Sequence, residues 1–450
     1  MGQQEQWGSK LSFILAAAGS AIGLGAIWKF PYVAGSSGGG AFFLVFLIFT
    51  FLVGFPLLLA EFVIGRSTQK EAISAYRTIA PRWTFIGRMG VFTAFILLSF
   101  YSVIGGWILL YFGATLTGYT MGVDNYEQLF GSIISNPWTA IGAQLAFMFL
   151  TIIVVAKGVK EGIEKASKWM MPALFILFIV LIARSLTLDG AMEGVKYFLQ
   201  PDFSRLNSEG VLFALGQSFF SLSLGVSVMV TYSSYLSKKE SLVKSASSIV
   251  MMNIFITILA GLAIFPAVFS FGFEPTEGPG LLFIVLPSVF AQMPGGVIFF
   301  GVFLALFLFA TLTSAFSMLE IIVASVTKDS GKQVRSKASW MVGLAIFVVG
   351  IPAALSFGIL GDIKMFDKTI FDLMDYLVSN IMLPLGALLI SIFVPWKMSR
   401  AVLIEELTDG SSFGKKMLAL WILILKFVVP VVIIIVFLDA LGVLDMIFGK

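Results

Sequence analysis

Eleven stretches of this chain are apolar over close to the ~20 residues a helix needs to cross ~30 Å of hydrocarbon. They run over 11–34, 41–65, 89–115, 139–156, 169–187, 211–236, 245–272, 297–326, 339–360, 372–394 and 417–441. In lipid every peptide group must find its partner inside the protein, which leaves helices or closed barrels. Runs of this length select helices. Composition agrees: 58% of the 450 residues are hydrophobic and 12% charged, too little charge to cover a soluble surface. The expected fold class is an all-α polytopic membrane bundle.

The positive charges are read by position rather than by sum. Arg66, Lys70, Arg77, Arg82 and Arg88 follow span 2, and Lys157, Lys160, Lys165 and Lys168 follow span 4. Lys238, Lys239 and Lys244 follow span 6, and Lys328, Lys332, Arg335 and Lys337 follow span 8. Lys397, Arg400, Lys415 and Lys416 follow span 10. The loops on the other side carry only Lys196, Arg205, Lys364 and Lys368. That asymmetry predicts an N-terminus inside and, with an odd number of crossings, a C-terminus outside. The excess positive charge is therefore no nucleic-acid footprint.

The chain has no cysteine and no histidine. Disulfides, thiolate metal sites and the usual imidazole proton relay are excluded together. No nucleophile stands at useful spacing from a base, so an enzyme is not expected. "LAAAG" near residue 15 is not read as a cleavage site, because the apolar run does not end there.

Two of the spans are interrupted. Span 1 reads "AAAGSAIGLGAIWKFP", with Gly19, Gly23 and Gly25 at its midpoint. Span 6 reads "GQSFFSLSLGVSVMVTYSSY", with Gly216, Ser221, Ser223, Gly225 and Ser227. Five spans separate their starting points. The expected organisation is two five-span halves, 1–187 and 188–396, followed by 397–450 with span 11 and its flanks. "GSSGGG" at 35–40 reads as a flexible outer turn, and "LLFIVLPSVFAQMPGG" after "FEPTEGPG" as a hairpin in an outer loop. In span 5, Gly162 and Pro172 bracket "IEKASKWMM", a stretch expected to unwind on the inner side.

A helix broken inside the bilayer frees carbonyls and N–H groups that lipid cannot satisfy. Freed carbonyls suit a hard cation, and a half-helix N-terminus suits an anionic or polar group. Broken helices in matching positions of two halves point to a transporter's central site. The competing reading of "GSAIG" alone is close helix packing through small residues.

"AGSAIGLGAIWKFP", "GGGAF", "AEFVIGRS", "FFSLSLGVSVMVTYSSY" and "FATLTSAFSMLE" together resemble the neurotransmitter:sodium symporter family, in its bacterial, LeuT-like, eleven-span branch. The resemblance covers spans 1–10. It implies a 5+5 inverted-repeat bundle, alternating access, and the cytoplasmic membrane of a bacterium with lipid around it. It also implies a sodium site built from the carbonyls of Gly19, Ile22 and Ala310 and the hydroxyls of Thr313 and Ser314. The family's first sodium site falls on Ala21, Ala26, Ser221 and Asn253. There the family amide has become Ala26, so that site is degraded and one sodium is expected. Chloride is not expected: Gln217, Ser221, Asn253 and Thr257 match its site, but the family tyrosine is replaced by Phe46.

By the same resemblance the substrate lies against Ala21, Gly23, Gly25, Leu97, Tyr101, Phe220, Ser221, Ser223, Val226, Ser314 and Met318. An apolar, partly aromatic wall suits a hydrophobic or aromatic amino acid, or a neutral aromatic such as indole. Lys29 and Asp375, above Tyr101 and Phe220, match the family's outer gate. At the inner gate Trp7 and Tyr235 are kept, while the basic and acidic partners have become Gln4 and Lys328. Inner closure is therefore expected to rest on packing, with Gly162 and Pro172 as the hinge. Glu61 and Glu320 are expected to be structural hydrogen-bonding groups, or else protonation sites. The leading reading is a sodium-driven transporter of a small apolar substrate. A passive facilitator or channel, or a sensor that binds without transport, is the alternative on the same fold.

Overall fold

The computed structural model describes residues 5–273, 280–328, 331–408, 414–440 and 442–443. Among them the regular structure is helical. Nine helices are long and apolar enough to cross a membrane, and ten crossings result if the bent pair Lys10–Ala21 and Gly25–Ser36 is one span. A second pair, Ser208–Phe220 and Val228–Ser234, is shorter and separated by a non-helical stretch. It occupies the place expected for span 6.

Local chemistry sets the helix starts. Ser9 accepts the Ser12 N–H at 3.2 Å and opens the first helix. Asn207 accepts the Gly210 N–H at 2.7 Å ahead of Ser208–Phe220. Asn136 caps Pro137–Ala156, whose proline sits in the first turn where no N–H is needed. Thr369 and Asp372 form a reciprocal cap at Ile370–Tyr376.

The two broken spans are interior. Lys10–Ala21 packs against Leu242–Ser270 and Gly296–Thr327, and Val228–Ser234 packs against Phe55–Thr68. Every residue of Val228–Ser234 is buried. Pro81–Leu116 lies between Gly296–Thr327 and Pro137–Ala156 and is the most enclosed crossing, with 72% of its central window buried. Lys415–Asp439 is the least enclosed of the nine, at 22%.

Three expectations change. "GSSGGG" is a pinned turn: the Tyr197 hydroxyl donates to the Gly35 carbonyl at 2.6 Å, and Gly39 bridges to Pro201. The segment after residue 280 is one short helix, Leu281–Ala291, that turns directly into Gly296–Thr327 rather than a hairpin; most of "FEPTEGPG" lies outside the described residues. Span 5 starts at Val159, ten residues earlier than its hydropathy, and is wound throughout. Gly162 sits in a wide π-helical turn, where the Val154 carbonyl occupies the place a Cβ would take. Pro172 lies inside the helix that follows.

Candidate functional site

The first helix ends at Ala21 in a turn over Ile22 and Gly23, and the Ile22 N–H still reaches the Ala18 carbonyl at 2.8 Å. Facing this break is a turn of Gly296–Thr327. Thr313 Oγ1 donates to the Gly19 carbonyl at 3.0 Å and lies 3.0 Å from the Ala310 carbonyl. Ser314 Oγ lies 3.2 Å from the Gly19 carbonyl and 2.8 Å from that of Ser20. Gly19, Ala310, Thr313 and Ser314 thus meet as neutral oxygens. Hydroxyls that donate to carbonyls can turn their lone pairs to the same point when a cation arrives. The donor set is hard and uncharged, the chemistry a weakly held monovalent cation needs.

Beside this cluster is a small cavity of about 40 Å³, lined among others by Gly23, Gly25, Leu97, Tyr101, Val226 and Met318. Ala21, Phe220, Ser223 and Ser314 line it as well, so every expected substrate contact except Ser221 borders one space. Gly23 is required by close approach: a Cβ there would overlap Ser314 Oγ and come within 2.7 Å of the Tyr101 hydroxyl. The broken part of span 6 holds Ser223 and Ser227 at positive φ, 54° and 62°. Ser223 Oγ donates across to the Ser20 carbonyl at 2.9 Å, tying the two breaks together. Glu61 supports the same region from span 2, accepting the Gly225 N–H at 2.9 Å.

Sequence reasoning missed Ser20 and Ser317, whose hydroxyls meet at 2.6 Å on the cavity wall, and Leu383, which reaches it from span 10. Ser317 had a signal, standing one helical turn beyond Ser314. Leu383 had none.

Around the first-site residues, Asn253 Nδ2 donates to the Ser221 carbonyl at 2.8 Å, and Gln217 Nε2 to that of Gly25 at 2.6 Å. Gln217 Oε1, Ser221 Oγ and Asn253 Oδ1 remain buried without hydrogen-bond partners. The two amide oxygens can only accept, which suits a cation better than chloride, while the Ser221 hydroxyl can serve either. Ala26, fully buried, contributes no side-chain oxygen, and neither does Phe46.

At the outer side Lys29 Nζ lies 4.9 Å from the Phe220 ring centroid, over the aromatic wall. Asp375 accepts the Ser379 hydroxyl at 2.8 Å. Among the described residues, Lys29 and Asp375 make no direct ion pair.

The inner end corrects the packing expectation. Trp7 does pack, its indole N–H reaching the Tyr232 carbonyl at 2.8 Å and its ring lying 6.3 Å from Tyr235. Charges add to it. Arg335, read from sequence as a loop cation, is buried and paired with Glu320, which also accepts the Tyr235 hydroxyl at 2.8 Å. Glu5 reaches the same guanidinium at 3.9 Å. The ion pair thus persists with other partners; Lys328 is not among them, and Gln4 lies outside the described residues. Glu164, in the π-helical turn of span 5, accepts the Gly8 N–H and the Ser12 hydroxyl, each at 2.8 Å, and pairs with Lys168. Sequence gave no sign of that clasp between span 5 and the N-terminal segment.

A family model described as the sodium:neurotransmitter symporter family matches residues 4–126 and 132–446. The chain is 60% identical to an uncharacterized sodium-dependent transporter, YhdH, of Bacillus subtilis over 98% of both proteins. It is 37% identical to an uncharacterized sodium-dependent transporter of Haemophilus influenzae, again over 98% of each. Among solved structures it is similar to MhsT in complex with L-phenylalanine, with a TM-score of 0.88 and 44% identity, covering 97% of this chain and 99% of that one.

Proposed function

Because the chain belongs to the sodium:neurotransmitter symporter family of multi-pass, sodium-dependent transporters, we propose that it carries a hydrophobic or aromatic amino acid, coupled to one sodium ion. The observation that supports this most is the meeting of Gly19, Ala310, Thr313 and Ser314 oxygens between the broken span 1 and span 8. With Ile22 they would hold the ion, which when bound ties the two spans together without bringing a fixed negative charge into the membrane.

The chain's own groups do the rest. Gly23 and Gly25 lack side chains where the backbone must approach a ligand, so their N–H groups can receive a carboxylate, joined by the Tyr101 hydroxyl once it leaves the Thr311 carbonyl that it reaches at 3.4 Å. The carbonyls of Ala21, Phe220 and Ser221 accept an ammonium. Leu97, Val226 and Met318 provide the apolar wall, as expected for an MhsT-like protein whose relative is solved with L-phenylalanine. A cavity of about 40 Å³ is too small for such a ligand, so the wall must part and re-close, with Phe220 beneath Lys29 as its outer flap. The Gly162–Pro172 stretch of span 5, wound in this structure, would have to unwind to open the ion cluster from inside.

A second reading is favoured by Ala26. A substrate carboxylate buried without its second cation is costly, and a neutral aromatic such as indole avoids that cost. Binding of L-phenylalanine, L-tryptophan and indole, each with and without sodium, separates the two. Amino-acid binding that requires sodium supports the first reading. Indole binding alone supports the second. Sodium-independent binding of all three defeats the coupling proposal.

A further inference from the structure

A basin of about 1320 Å³ opens at the inner end of the bundle, beside Trp7 and Tyr235. Seven cationic side chains line it against three acidic ones. Loop cations on one side of a membrane protein are ordinary. Their convergence on one concave wall, around a buried guanidinium with an idle donor, is not.

Arg335 is 5% exposed and borders the basin. One of its terminal nitrogens is held by Glu320. Its Nε has no hydrogen-bond partner. The carboxylate that faces it, Glu5 Oε1, stands 3.9 Å away, beyond hydrogen-bond reach. The same Glu5 oxygen lies 2.7 Å from where a Cβ on Gly158 would be, and Arg335 Nε lies 3.8 Å from that point. Arg335 Nε, Glu5 and the Lys157–Lys160 turn therefore meet at one spot. Among the described residues, Arg77, Lys157, Lys160, Lys328 and Lys332 make no ion pair. Lys70 donates to Thr78. Of the acids, Glu71 is committed to capping Ala72–Ile79 through the Ile73 and Ser74 N–H groups. Among the described residues, that leaves Glu5 and Glu161 to face six further cations.

Cations gathered on a concave low-dielectric wall repel one another and focus a field that draws in anions. A single carboxylate satisfies one of them. A phosphate group carries more charge and three acceptor oxygens, and matches a fixed guanidinium donor surrounded by mobile ammonium groups. We propose that the basin binds a phosphate group at Arg335 Nε, screened by Lys157, Lys160 and Lys332, in competition with the Glu5 carboxylate. Glu5 stands two residues before Trp7, so its displacement removes one anchor of the segment that closes the inner end.

The test uses the full chain in lipid nanodiscs. One arm adds inorganic pyrophosphate to discs of neutral phosphatidylcholine. The other replaces part of the lipid with phosphatidic acid, whose headgroup is a terminal phosphate, and adds no pyrophosphate. Thermal unfolding is followed in both, and the midpoint without ligand reports the folding of each variant. The midpoint should rise in at least one arm. Lys157→Gln/Lys160→Gln/Lys332→Gln should weaken the apparent affinity about tenfold, and Glu5→Gln should strengthen it about threefold by removing the competitor. A rise with the phospholipid alone assigns the phosphate to a headgroup, and a rise with pyrophosphate alone assigns it to a soluble ligand. No rise in either arm, a rise the triple variant keeps in full, or a Glu5→Gln protein that binds no more tightly overturns the proposal.

Discussion

Span 1 and the segment before it are held at two places, and the two are built differently. Mid-membrane, span 1 meets span 8 through neutral oxygens: the Gly19 carbonyl with Thr313 Oγ1 at 3.0 Å and Ser314 Oγ at 3.2 Å. At the inner end the segment before span 1 meets spans 6, 8 and 9 through full charges and rings: Glu5 on Arg335 of span 9, Arg335 on Glu320 of span 8, Trp7 against Tyr235 of span 6. The first arrangement is stable without its ion, because each hydroxyl has a carbonyl to donate to. It can therefore take up and lose a cation repeatedly. The second has no such fallback, since removing either partner strands a buried charge. One is built for exchange and the other for closure.

The largest break in that comparison should come at the charged end. Glu320→Ala leaves Arg335 buried with a distant partner and should lower stability by about 3–5 kcal/mol in denaturant unfolding. A loss under about 1 kcal/mol would mean the guanidinium finds water, and the closure account fails. Next comes Glu164→Ala, which strips the Gly8 N–H and Ser12 hydroxyl of their shared acceptor. It should cost about 2 kcal/mol and speed hydrogen exchange at the Gly8 amide more than at Gly225. Equal exchange in wild type and variant would show that the clasp does not hold the N-terminal segment. The smallest effect is expected at Ala26. Ala26→Asn restores a side-chain oxygen beside Ser221 and Asn253, and should tighten amino-acid binding about fivefold while steepening its sodium dependence. Unchanged affinity in calorimetry would remove the argument for a single ion.

Much of the mid-membrane region was legible because it is local. A helix break shows as glycines and serines in an apolar run, while the roles of Thr313 and Ser314 in "TLTS" came from the family resemblance, since alone those hydroxyls read as bonding to the preceding turn. The inner end was not, because its partners are distant in sequence. Arg335 sits at the start of a helix, and only packing against Val155 and Glu320 tells a buried guanidinium from a solvated one. Glu164 bonds residues more than 150 positions earlier. Span 5 was begun too late because its first turns carry Lys160, Glu161, Glu164 and Lys165, charges that hide helix from a hydropathy reading.

The central claim is that the uncharged cluster between spans 1 and 8 takes the coupling ion. Radioactive sodium binding to the purified chain tests it without any assumption about substrate. Wild type should bind sodium saturably, and Thr313→Ala/Ser314→Ala, with an unfolding midpoint near that of wild type, should bind none. Undiminished sodium binding by that double variant would contradict the account.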